Sequence, residues 1–77
     1  MKITDESTGI AYHFMWSRDR SRIVVDAYKK DCGRHFSNVA EIEQVQSLNP
    51  LFRFPKPLGM KAIKFIMSNY LGMLKND

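Results

Sequence analysis

A single cysteine, Cys32, stands among 77 residues, so no internal disulfide can form. A lone thiol belongs more naturally in a reducing compartment. Metal ligands are equally scarce: the nitrogen and sulfur candidates are His13, Cys32 and His35, one short of the closed tetrahedral set of structural zinc. The four glycines build no phosphate-cradling loop, and paired-cysteine and basic helix-turn-helix signatures are missing. No run approaches the roughly 18 apolar residues of a membrane span. The most apolar stretch, 58–74, is broken by Lys61, Lys64, Ser68, Asn69 and Gly72. The start, Met1-Lys2-Ile3-Thr4-Asp5-Glu6, lacks the apolar run of a signal peptide. These absences lead us to expect a complete cytoplasmic protein without membrane association, metal or cofactor. A core of this length can hardly enclose the several hundred Å³ of a usual cofactor pocket.

What is present describes one small ordered domain, residues 1–77. Hydrophobic residues make up 44% of the chain, which argues against disorder. Formal net charge is +4, which favours an acidic partner, either a protein surface or a nucleic acid. Eight acidic residues weaken any non-specific hold on phosphate. A core this small supplies only about 3–5 kcal/mol of net stability, so homodimerisation would add margin.

Residues 1–8 read as a polar lead-in, expected to fray. From there the chain alternates. Ile10, Tyr12, Phe14 and Trp16 fall on one side, and Ala11, His13 and Met15 on the other. Ile23, Val25 and Ala27 alternate likewise with Val24, Asp26 and Tyr28. This period of two predicts two strands, joined by the four-residue loop Arg18-Asp19-Arg20-Ser21. Pairing Ser17 with Arg22 sets Trp16 opposite Ile23, Phe14 opposite Val25 and Tyr12 opposite Ala27. All six then share one core face. The second face is semi-apolar and sets His13 opposite Asp26. Asp31-Cys32-Gly33-Arg34 reads as a turn, with Gly33 at a positive φ.

Residues 38–48 are expected to form a short helix. Asn38 would cap it with Glu41 three residues on, and Val39, Ile42, Val45 and Leu48 would recur along it. A strand reading competes, but its alternation fails at Glu43-Gln44. Asn49-Pro50 ends the segment. Phe52-Arg53-Phe54-Pro55-Lys56-Pro57 reads as an extended connector. Residues 58–75 are predicted as an amphipathic helix. Met60, Ile63, Ile66, Met67, Tyr70, Met73 and Leu74 form its apolar face, with Lys61, Lys64, Ser68, Gly72 and Lys75 opposite. The expected fold is therefore α+β: an antiparallel hairpin, with room for a third strand, packed on this C-terminal helix.

No motif fixes a ligand. Cys32 and His35 have the spacing of a thiolate–imidazole pair, but no third member of a catalytic set can be placed. His13 opposite Asp26 reads as a cross-strand polar pair rather than an oriented base. We therefore expect no catalytic residues. The expected function is a non-enzymatic binding protein that regulates or inhibits a macromolecular partner, with a protein partner preferred over nucleic acid. Aromatic residues and arginine are enriched in interface cores. On that basis the expected contacts are Phe65, Lys61 and Lys64, then Phe52, Arg53 and Phe54. Arg18, Arg20 and Arg22 add an electrostatic patch that speeds encounter.

Overall fold

The computed structural model describes residues 1–75. A five-stranded antiparallel sheet in the order β1-β2-β3-β4-β5 forms its frame. The strands are β1 (Lys2–Asp5), β2 (Ile10–Trp16), β3 (Arg22–Lys29), β4 (Arg34–Glu43) and β5 (Leu51–Arg53). Two helices follow, α1 (Met60–Asn69) and α2 (Gly72–Lys75). The class is α+β, with more sheet and less helix than the sequence suggests. Among the described residues no helix is long and apolar enough to cross a membrane.

The β2–β3 hairpin has the register that alternation dictates. Trp16 faces Ile23, Phe14 faces Val25 and Tyr12 faces Ala27, while Met15, His13 and Ala11 face Val24, Asp26 and Tyr28. Phe14, Ile23 and Val25 are fully buried. The loop between the strands is closed by Ser17 N–H donating to the Arg22 carbonyl at 2.9 Å. One carboxylate organises its tip: Asp19 Oδ1 accepts from Ser17 Oγ at 2.8 Å, Ser21 N–H at 3.0 Å and Ser21 Oγ at 2.7 Å. These bonds, led by that from the Ser21 hydroxyl, pull the Asp19 pKa down from 3.8 to about 2.

The sign of the pH effect follows. The unfolded chain takes up this proton first as pH falls. The Asp19 contribution is thus full above about pH 4 and is lost as pH drops through about 2. The Tm deficit of Asp19→Ala relative to the parent chain should shrink to nothing over that window. A deficit independent of pH would show that the charge plays no part.

Two strands depart from the sequence reading. The lead-in expected to fray is β1. The Met1 ammonium donates to the Phe14 carbonyl at 2.9 Å, and Phe14 N–H returns a bond to the Met1 carbonyl at 2.8 Å. Ile3 lies opposite Tyr12 on the core side. The helix expected at 38–48 is a correction: residues 34–43 are β4. A bulge between Val25 and Ala27 breaks the β3–β4 register, and Asn38 adopts φ 52° beside it. Ser37, Asn38 and Val39 stand against Asp26 alone, two residues more than a regular ladder holds. Phe36 therefore faces Ala27, and Ala40 and Ile42 face Val25 and Ile23, a spacing that imitates a helical repeat. The supposed capping pair does meet, with Asn38 Nδ2 donating to Glu41 Oε2 at 3.0 Å, but within a bulged strand. The alternation that fails at Glu43-Gln44 marks the strand end, where Gln44 turns at φ 52°.

The C-terminal helix covers one face of the sheet. It starts two residues later than expected, with Gly59 as N-cap, and it breaks at Tyr70-Leu71. Its buried residues are Ile66, Tyr70 and Met73, with Ala62 and Phe65 packed beside them. Met60 and Met67 were expected on this face but are 66% and 44% exposed. The helix is rolled toward Phe65 because that ring stacks on Tyr12, with centroids 5.0 Å apart. On the other flank Phe52 meets Tyr70 edge-on at 5.3 Å. Aromatic pairs of this geometry add about 0.5–1.5 kcal/mol beyond their burial.

Candidate binding surface

The helix packs on one side of the sheet only, and no described element packs on the other. Alternation places Ala11, His13 and Met15 of β2, and Val24, Asp26 and Tyr28 of β3, on this open side. Lys2 and Thr4 of β1, His35, Glu41 and Glu43 of β4, and Arg53 of β5 share it by register. Tyr28 is 42% exposed, while Ala11, Met15 and Val24 are half-buried by their neighbours. The result is a small apolar centre within a polar rim.

Charges on the rim are mostly paired. Arg22 Nε lies 3.4 Å from Glu41 Oε1, and Arg53 Nε lies 3.3 Å from Glu43 Oε2. Such exposed pairs contribute about 0–1 kcal/mol, so their value here is to hold side chains in place. At the β1 end, Lys2, His13, Asp26, Tyr28, Lys30 and His35 surround a shallow depression of about 490 Å³. Asp26 organises it. Its Oδ1 accepts the Asn38 N–H at 2.8 Å, and its Oδ2 lies 3.4 Å from His35 Nε2.

The carboxylate expected to face His13 is thus turned to β4, although the His13–Asp26 register holds. Burial first, then the terminal ammonium and Lys2, push the His13 pKa below 6.5, against an opposing pull from Asp26. His13 is therefore neutral at pH 7. The unfolded chain protonates first, so this residue subtracts stability as pH falls through 6.5 toward its folded value. Cys32 is exposed, and its sulfur approaches the Lys29 carbonyl at 4.0 Å. Among the described residues no group of three or more potential metal ligands converges.

The contact residues expected from sequence are divided by the fold. Phe52, Phe54 and Phe65 are partly buried against the core. Lys61 and Lys64 are exposed on α1, where Lys61, Lys64, Phe65 and Asp5 line an open depression of about 310 Å³ at the C-terminal end of β1. Arg53 and Arg22 are ion-paired on the open face. At the hairpin tip Arg18 is exposed, and Arg20 lies over the Trp16 ring at 5.1 Å. The fold thus brings Phe65, Lys61 and Lys64 together and scatters the rest. The apolar centre of the open face was missed as a contact site. Its signal was present in the semi-apolar second face of the hairpin, which the helix expected at 38–48 left open to being covered.

Compared with protein-family models, curated proteins and solved structures, the chain matches none. A functional reading therefore rests on geometry and chemistry.

Proposed function

We propose that the chain is a small non-enzymatic binding protein that docks a protein partner on its open sheet face and thereby modulates it. One observation carries this reading: a sheet with a single helix layer leaves the Ala11, Met15, Val24 and Tyr28 centre uncovered. A sheet face with an apolar centre gains most by packing on another surface. An apolar centre inside a polar rim is also the usual anatomy of a protein interface. Arg22 and Arg53 on this face are already paired with Glu41 and Glu43, which weakens its hold on phosphate.

The test is capture from a native extract, at low and high salt and with nuclease, by the parent chain and by Val24→Glu. The parent should retain a discrete protein at high salt after nuclease. Val24→Glu should lose at least about tenfold of that capture with unchanged circular dichroism. Capture that disappears with salt or nuclease would replace this reading with nucleic-acid binding. Equal capture by Val24→Glu would remove the open face as the site.

A further inference from the structure

The sheet has two edges, and they differ. β5 is three residues long and runs into Pro55 and Pro57, which cannot donate to a ladder. β1 has no such block. It pairs only with β2. Met1 and Phe14 exchange both of their main-chain hydrogen bonds. In an antiparallel ladder such pairs alternate with pairs that exchange none. Lys2, opposite His13, and Thr4, opposite Ala11, therefore turn N–H and C=O outward, away from β2. Among the described residues nothing hydrogen-bonds to these four groups.

Charge selects what could pair there. Lys2 lies on the open side of the edge, and Lys61 and Lys64 lie on the helix side, beside Asp5 at its C-terminal end and next to Phe65. The acid among them, Asp5, is occupied by the Ser7 N–H at 3.0 Å and the Ser7 hydroxyl at 2.8 Å. A lysine on an edge strand guards against neutral and basic strands. The same lysine attracts an acidic one. A second copy fits less well, because β1 against β1 about a two-fold axis brings two lysine-bearing edges together.

We propose that the β1 edge takes an extended acidic segment of a partner protein as a sixth strand. Lys2 and Thr4 supply the ladder bonds. Alternate acidic side chains reach Lys61 and Lys64 on one side and Lys2 on the other. This rests on the reading of the chain as a protein-binding module and adds a second contact to its open face.

The probe is a displayed library of random peptides of about ten residues, selected on the full chain. Enriched peptides should be acidic and β-branched. One of them, added as a synthetic peptide, should slow amide exchange at Lys2 and Thr4 by about tenfold or more. Reversing both helix lysines (Lys61→Glu with Lys64→Glu) should weaken it at least about tenfold. Thr4→Pro, which deletes an outward donor and no bond to β2, should also weaken it, whereas Val24→Glu should not. Enrichment without acidic bias, or binding that leaves Lys2 and Thr4 exchange unchanged, overturns the proposal. So does protection of those amides by raised protein concentration alone, which would give the edge to a second copy. Loss of the edge result with Val24→Glu still abolishing capture sinks only the edge. Loss of both sinks the binding reading itself.

Discussion

Phe14→Ala is expected to leave the chain mostly unfolded at room temperature. Phe14 is 0% exposed and sits on a central strand, opposite Val25 and under the helix. Truncating a buried phenylalanine costs about 3–5 kcal/mol, part lost transfer energy and part cavity. A domain of this size has only about 3–5 kcal/mol in total, so one substitution consumes the margin. Urea titration followed by circular dichroism decides it. Met60→Ala is the informative control. The helical pattern alone puts Met60 on the core face, where truncation would cost about 2–5 kcal/mol. The structure leaves it 66% exposed, where changes stay within about 0.5 kcal/mol. A large loss at Met60 would mean that the helix is seated as the sequence pattern suggests.

Asp26→Ala should cost about 1–3 kcal/mol, mostly through a main-chain group. The Asn38 N–H at the bulge has the Asp26 carboxylate as its partner at 2.8 Å. Without that acceptor a partly buried donor is left unsatisfied. Asp26→Asn keeps an acceptor in place and should recover most of the loss, since His35, the other partner, is 57% exposed at its side chain and adds little. If the two variants are equally destabilised in thermal melts, the His35 interaction matters and the bulge bond does not. Asn38 itself holds φ 52°, a conformation that asparagine tolerates better than alanine. Asn38→Gly should therefore be tolerated better than Asn38→Ala.

These substitutions mark where the sequence was legible. The β2–β3 hairpin was readable to the residue because one register alone puts six apolar side chains on one face. β4 was not, because its bulge inserts two residues opposite Asp26 and interrupts the period of two with a spacing that looks helical. Local pattern cannot distinguish the two, since the decision lies in Asp26 on the neighbouring strand. β1 was missed because an edge strand needs only one inward apolar residue, Ile3, and that is too little signal to separate it from a lead-in.

The site was less legible than the fold. The sequence points to Phe52, Phe54 and Phe65 as contact residues because aromatics and arginine are enriched in interface cores. In the structure they plug its margins, and Phe65 finds its place through Tyr12, 53 residues away in the chain. Lys61 and Lys64 stay exposed, and the role we propose for them lies at the neighbouring β1 edge.

The meander also bears on how the chain reaches this state. Every strand pairs with its neighbour in sequence, so each closure in the sheet is local and costs little loop entropy. The helix contacts are the distant ones, and the helix follows the sheet in the chain. Strand pairing can thus run ahead of helix docking, passing through a sheet bare on both faces. Such a species is prone to aggregate at high concentration, and slow docking of residues 60–75 would lengthen its life. The β2–β3 hairpin is the natural nucleus, and substitutions there should slow folding. Substitutions at Ile66 should chiefly hasten unfolding.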